Sequence, residues 1–134
     1  MASNDFSVLQ RVPMFACLDE HGLAQVAAVA TEFEAPSGQV LVEIGQPGLG
    51  VFVIEAGTVR IEPPADEPIE RGPGDFFGEL AILTDSPRTA RVSATSDVSG
   101  LVIRRADIAD LLNREPTIAV AMLREVAQRL VDLT

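Results

Sequence analysis

The sequence predicts an α+β chain that is mainly β, with strands closing into a small barrel or sandwich and helical segments at both ends. Three observations point there. From Gln39 onward, short runs rich in Val and Ile recur between turns that contain Gly or Pro. Before them, Leu23, Val26, Ala27 and Ala30 fall at i, i+3, i+4 and i+7, the mark of one buried helical stripe. After Pro116, apolar residues return at helical spacing and keep it to the last turn.

Taken in order, the apolar piece from Phe6 to Val12 stops before Pro13 and predicts a helical turn or two. Asp19 is the expected N-cap of the next helix. Pro36-Ser37-Gly38 closes the helical part, so residues 1–35 are assigned to N-terminal helices. Five strands are expected: VLVEI (40–44), VFVIE (51–55), TVRIE (58–62), ARVSA (90–94) and SGLVI (99–103). Ala56-Gly57 reads as a two-residue hairpin joining the second and third, with Gly57 free to take positive φ. Within TVRIE, Val59 and Ile61 point one way and Thr58, Arg60 and Glu62 the other, as on a strand with one wet face. Residues 63–68, PPADEP, form a surface loop. DIADLLNRE (107–115) is a helix capped by Asp107 or a neighbour and halted by Pro116, which suits the first turn of the following helix. There Ile118, Met122, Val126 and Leu130 form a stripe that Leu123, Ala127 and Leu133 widen. So broad a face requires a partner surface: the barrel, a ligand, a second copy of the chain or a downstream segment.

The 134 residues fit one domain able to bury its own core, and no internal repeat divides them. The formal net charge of -10 repels phosphate backbones and anionic membranes, so nucleic-acid binding by this chain alone is not expected. All ten basic residues are Arg, which excludes Schiff-base lysine chemistry and a GxxxxGK phosphate loop. Neither an 18-residue apolar run nor a signal-peptide pattern is present, and a cytoplasmic location is expected. Cys17 has no partner for an internal disulfide and, beside Phe15, Ala16 and Leu18, reads as a buried structural thiol. His21 is the single histidine and reads as a surface or cap residue; no metal centre or hydrolytic triad is expected on it.

One stretch departs from plain strand alternation: GDFFGELAILTDSPRTARV, residues 74–92. Gly78 followed by ELAIL reads as a short helical turn whose exposed N–H groups suit an anion. Thr84-Asp85-Ser86-Pro87 then turns the chain so that Arg88 can return beside the same turn. Its planar fork matches two phosphate oxygens. Thr89 adds a hydroxyl and Ala90 an N–H. Glu79 is badly placed beside an anion unless it faces a neutral group with hydroxyls, and a ribose meets that requirement. Arg88 paired with Asp85 on the surface, and Glu79 merely favouring a helix start, are the plainer alternatives.

FGELAILTDSPRTARV resembles the phosphate-binding cassette of the cyclic nucleotide-binding domain family, roughly F-G-E-(L/M)-A, six variable residues and R-(S/T/A)-A. The similarity extends through LQRVPMFACL, GQVLVEIGQPG, VFVIEAGTVRI and VIRRADIADLLNREP, nearly the whole chain. The resemblance implies an eight-stranded antiparallel β-roll (jelly-roll-like, a double-stranded β-helix) with an N-terminal helical segment and C-terminal hinge and lid helices. It divides the single domain 1–134 into helices (1–35), the roll (36–103) with its cassette (76–90), and C-terminal helices (104–134). It assigns Glu79 to the ribose 2′-hydroxyl, Arg88 to the exocyclic phosphate oxygens, backbone contacts to Gly78, Leu80 and Ala81, and the rest of the phosphate site to Thr89 and Ala90. Arg124, Arg129 and Leu130 on the last helix are candidates for capping the base, with surface charge or dimer packing as alternatives. Two departures from the family pattern stand out: Leu49-Gly50 replaces a more polar turn, and Arg91 occupies a position commonly Thr or Ser, where alternation with Ala90, Val92 and Ala94 turns it outward.

The expected function is a regulatory sensor for cAMP or cGMP that needs no cofactor, catalyses nothing, and moves its C-terminal helices when ligand binds. Its partners would be the nucleotide and, through the last helix, a second copy or an attached effector. A binding-incompetent relative serving as a structural or dimerising domain is the alternative. An enzyme on a similar roll is disfavoured, since such metal centres draw on several His and this chain has one.

Overall fold

The computed structural model describes residues 7–46, 50–64, 67–78 and 90–132. In chain order it contains α1 (Ser7–Gln10), a 3-10 turn (Pro13–Phe15), α2 (Glu20–Val29), β1 (Ala30–Ala35), β2 (Val40–Val42), β3 (Gly50–Ala56), β4 (Val59–Glu62), β5 (Ile69–Arg71), β6 (Phe76–Phe77), β7 (Arg91–Ala94), β8 (Val98–Arg104), α3 (Arg105–Arg114) and α4 (Pro116–Asp132). Eight antiparallel strands form two four-stranded sheets, β1-β8-β3-β6 and β2-β7-β4-β5, packed as a roll. The first sheet is covered on its outer face by the helices.

Alternation in the central strands explains the three layers. On β3, Val51 and Val53 face the helices and join Leu101, Ile103, Phe76, Leu23, Val26, Ile108, Ile118 and Met122 in one core. Ile54 faces the second sheet, with Val59, Phe77, Val92, Ala94 and Val98. A strand apolar on both faces is buried on both, and each such fully buried side chain stabilises by about 1.5–3 kcal/mol. A row of rings lines the inner face: Phe33 meets Phe52 edge-on at 5.4 Å, and Phe52 stacks on Phe77 at 4.8 Å. Strand β8 runs between β1 and β3, and Gly100 lets the rings meet across it. A Cβ there would stand 3.0 Å from the Phe33 ring and 2.0 Å from the Val53 carbonyl oxygen.

Asp19 caps α2 as expected, its carboxylate accepting from the Gly22 N–H at 2.8 Å. The helical assignment of residues 1–35 needs correction at its end. Ala30–Ala35 is a strand paired along its whole length with β8, from Ala30↔Ile103 to Ala35↔Val98. Pairing and not periodicity marks it as a strand, since Thr31, Glu32 and Glu34 are all exposed while Phe33 is half-buried and Ala35 buried.

The expected hairpin at Ala56-Gly57 is also corrected. Strand β3 pairs with β8 and β6 while β4 pairs with β5 and β7, so Ala56-Gly57 carries the chain from one sheet to the other. Gly57 has φ of 88° as anticipated, but closeness to another segment is the added demand: a Cβ would lie 2.2 Å from the Asp97 carbonyl oxygen.

Four smaller corrections follow. Strand β2 ends at Val42, with Ile44 exposed in the turn beyond. Helix α3 begins at Arg105 after Arg104, whose side chain makes no capping bond, and Asp107 lies in its first turn instead of capping it. On α4, Ile118 and Met122 enter the core and Val126 is half-buried, whereas Leu123 and Leu130 are 68% and 62% exposed. Leu123 and Leu130 lie on the side of α4 turned away from the roll; Leu133 lies outside the described residues. Cys17 is exposed, because the turn after Phe15 buries Phe15 and Leu18 and leaves the intervening thiol facing solvent.

Candidate functional site

Both ends of the cassette are visible, and each hangs from a different sheet. The turn Gly72–Asp75 is closed by its own bonds: Gly72 N–H donates to the Asp75 carboxylate at 2.9 Å and Asp75 N–H to the Gly72 carbonyl at 3.0 Å. It is pinned to β3 at Ile54, whose N–H donates to the Asp75 carbonyl (2.9 Å) and whose carbonyl accepts from Gly74 N–H (2.8 Å). This turn delivers β6, where Phe76 pairs with Val53 and Phe77 with Phe52. Next comes Gly78, half-buried with φ of 90°, a conformation glycine adopts freely. On the far side Ala90, half-buried, leads into β7 of the second sheet. Gly78 therefore directly follows a strand of the first sheet and Ala90 directly precedes a strand of the second.

Gly78 and Ala90 are the predicted phosphate-site residues that the structure describes. Glu79, Leu80, Ala81, Arg88 and Thr89 lie outside the described residues. Because β6 runs antiparallel to β3, Gly78 follows it on the side of the Gly50 end of that strand. An open trough of about 650 Å³ lined by Glu34, Ala35, Pro36, Ala56, Asp97, Val98 and Ser99 sits at the opposite, Ala56 end. Its carboxylates disfavour an anion, and it is a separate feature.

Arg91 does not compete for the phosphate role. It is exposed on the outward face of β7, as its alternation predicts, and its Nε donates to the Glu43 carboxylate at 3.0 Å. That bond, helped by the Ile44 N–H, holds the Glu43 carboxyl below the usual carboxylate range, and the same pairing raises the Arg91 guanidinium.

Of the three base-cap candidates, Arg124 is exposed, Leu130 is largely exposed, and Arg129 is drawn in. Its Nη2 donates to the Phe76 carbonyl at 2.8 Å, its guanidinium carbon stands 4.4 Å from the Phe76 ring centre, and its Nε lies 3.5 Å from the Glu125 carboxylate. Phe76 is thus tied to the last helix although nothing in its residue type announced that. The signal available was the doublet Phe76-Phe77 before Gly78, one ring for each face of the sheet.

His21 is exposed and shares a 3.0 Å hydrogen bond with Gln25. Among the described residues no group of three His, Cys, Asp or Glu is placed to hold a metal ion, and no helix is long and apolar enough to cross a membrane.

With the roll, its helices and the cassette ends in place, comparison with known proteins defines the class. The family model of the cyclic nucleotide-binding domain matches residues 32–115, and the chain belongs to that family. It is similar to a cyclic nucleotide-gated potassium channel of Mesorhizobium japonicum, 34% identical over 93% of this chain and 35% of the channel. Among solved structures it is similar to the N-terminal domain of a transcriptional regulator from Streptomyces coelicolor, with 34% identity, a TM-score of 0.70, and coverage of 96% of this chain and 95% of that one. The catabolite activator protein of Thermus thermophilus is similar at 25% identity and a TM-score of 0.79, over 90% of this chain and 59% of that one. The chain spans about a third of the length of the curated channels it matches (35% in the Mesorhizobium case).

Proposed function

We propose that this chain is the sensor of a cytoplasmic regulatory protein that binds a cyclic purine nucleotide, cAMP or cGMP, without a cofactor. One observation carries the reading: at the family's spacing, Gly-Glu-Leu-Ala begins at Gly78, directly after β6 of one sheet, and Arg-Thr-Ala ends at Ala90, directly before β7 of the other. In this reading Arg88 forks onto the exocyclic phosphate oxygens, and Thr89 and the Ala90 N–H complete that hold. The backbone of Gly78, Leu80 and Ala81 supplies further contacts, and Glu79 accepts from the ribose 2′-hydroxyl. In a chain of formal net charge -10 such a local cation is needed to hold any anion. Helices α3 and α4 then serve as hinge and lid, with Arg124, Arg129 or Leu130 facing the base. The signal would pass through α4 to a second copy of the chain or to an attached effector.

Calorimetric titration with cAMP and cGMP tests this directly. Arg88→Ala is expected to weaken binding by roughly 2–5 kcal/mol, about 30-fold to several thousandfold. Glu79→Gln should hurt the cyclic nucleotide far more than a ribose-free phosphate ester. Equal affinities of wild type and Arg88→Ala would refute the phosphate role.

A second reading, a dimerising domain that binds no nucleotide, is favoured by the exposed Val120, Leu123, Leu130 and Val131 on α4. Thermal shift separates the two, since a ligand of the folded state must raise its melting temperature and an unbound nucleotide leaves it unchanged.

A further inference from the structure

The two halves of α4 are held by different chemistry. Near its start, Ile118 and Met122 are buried in the helix-side core, at 0% and 2% exposure. Past Val126 the apolar residues turn outward, with Leu130 and Val131 each 62% exposed. In that outer half, Arg129 nevertheless keeps only 17% of its side chain exposed, pressed on Phe76 with its Nη2 on the Phe76 carbonyl. The far half of the helix is thus docked through a charge-assisted hydrogen bond and a cation–π contact instead of an apolar stripe.

What Arg129 holds matters more than that it is held. Strand β6 is two residues long and, among the described residues, lies at the edge of its sheet with β3 as its one neighbouring strand. So short an edge strand has little ladder to fix it, and its carbonyl needs a donor from elsewhere. Arg129 supplies one from 53 residues further along the chain. Two residues after Phe76 stands Gly78, the described entry to the cassette. A small cavity of about 60 Å³, lined in part by Pro13, Met14, Asp75, Phe76 and Glu125, adjoins the contact.

We infer that Arg129 is a positioning residue of the nucleotide site: it clamps the edge strand that leads into Gly78 and so pre-organises that strand and Gly78. The inference rests on the cyclic nucleotide reading for the identity of the ligand, though not for the clamp itself. It differs from a base cap in a measurable way. A residue touching the base discriminates between purines, whereas a clamp on the strand affects every ligand that uses the cassette alike.

The experiment compares wild type, Arg129→Gln and Arg129→Lys, titrated with cAMP and with cGMP well below their melting temperatures, with amide hydrogen exchange measured on the nucleotide-free proteins. Gln keeps the helix propensity and removes the charge; Lys keeps a cation that can donate to the carbonyl and sit over the ring. Arg129→Gln should weaken both nucleotides by the same factor, about 5- to 50-fold. Exchange should quicken in residues 76–78 and 124–132, and Arg129→Lys should recover part of both effects. Unchanged affinities, a loss confined to one purine, or exchange at 76–78 equal to wild type would each overturn the inference. Should the wild-type protein bind neither nucleotide, the sensor reading falls and the ligand half of this inference with it, while exchange at 76–78 still decides whether the clamp exists.

Discussion

Replacing Gly57 by Ala tests whether the β3–β4 link crosses between sheets. A methyl group at that position would lie 2.2 Å from the Asp97 carbonyl oxygen and 2.7 Å from the Val98 Cα, both backbone atoms that no rotamer change can move. The backbone must in addition keep φ at 88°, which costs an L-residue about 1–2 kcal/mol. Forcing the 95–98 connection away adds about 1–3 kcal/mol. Gly38 provides the control, since it has φ of 93° and nothing within 4 Å of its would-be Cβ, so Gly38→Ala carries the conformational cost alone. With an unfolding entropy of about 2.1 cal/mol/K per residue, these costs correspond to melting temperatures lower by about 7–18 °C for Gly57→Ala and about 4–7 °C for Gly38→Ala. Thermal melts followed by circular dichroism measure both. If Gly57→Ala melts no lower than Gly38→Ala, the 95–98 connection does not lie against Gly57, and the crossing is wrong.

Two further outcomes follow from side-chain environments. Burial and the nearby Glu32 raise the Glu55 carboxyl, so the folded chain binds that proton more tightly than the unfolded chain, and the ionised form weighs against folding at neutral pH. Glu55→Gln should therefore raise the melting temperature at pH 7 by about 1–2 °C, a small effect because the group is largely solvated, and the gain should vanish as pH falls through the raised carboxyl pKa; a lower melting temperature at pH 7 would contradict it. Cys17 should react with a thiol reagent in native buffer as an open thiol does, and protection until the chain unfolds would show that the turn after Phe15 is packed otherwise.

How far the strands could be read from the chain depended on their length and company. TVRIE and SGLVI were legible because alternation over four or more residues has a period of its own. Ile69–Arg71 and Phe76–Phe77 are too short to carry a period, and they are strands through the neighbours they pair with. Ala30–Ala35 was misassigned for the opposite reason: Ala30 also fits the preceding helical stripe, and pairing with β8 decides the matter. Ala56-Gly57 has the chemistry of a hairpin turn, and a positive-φ glycine serves equally where two segments cross closely. On α4 the heptad-like spacing of apolar residues showed that a face exists, but not that Leu123 and Leu130 would lie off the core.

By itself the sequence determined the family, the spacing of the cassette and the acidic field in which any bound anion would need a local cation. Those depend on residue identity and on separations of a few positions, which the chain carries from the start. The tertiary structure decided what long-range pairing alone can decide. It hung the two ends of the cassette on different sheets, at Gly78 and Ala90, and turned Arg91 outward to Glu43. It also brought Arg129 back onto the Phe76 carbonyl. A guanidinium takes its role from the acceptor that folding places within 3 Å of it, and that acceptor here lies on an edge strand with no sequence neighbour to announce it.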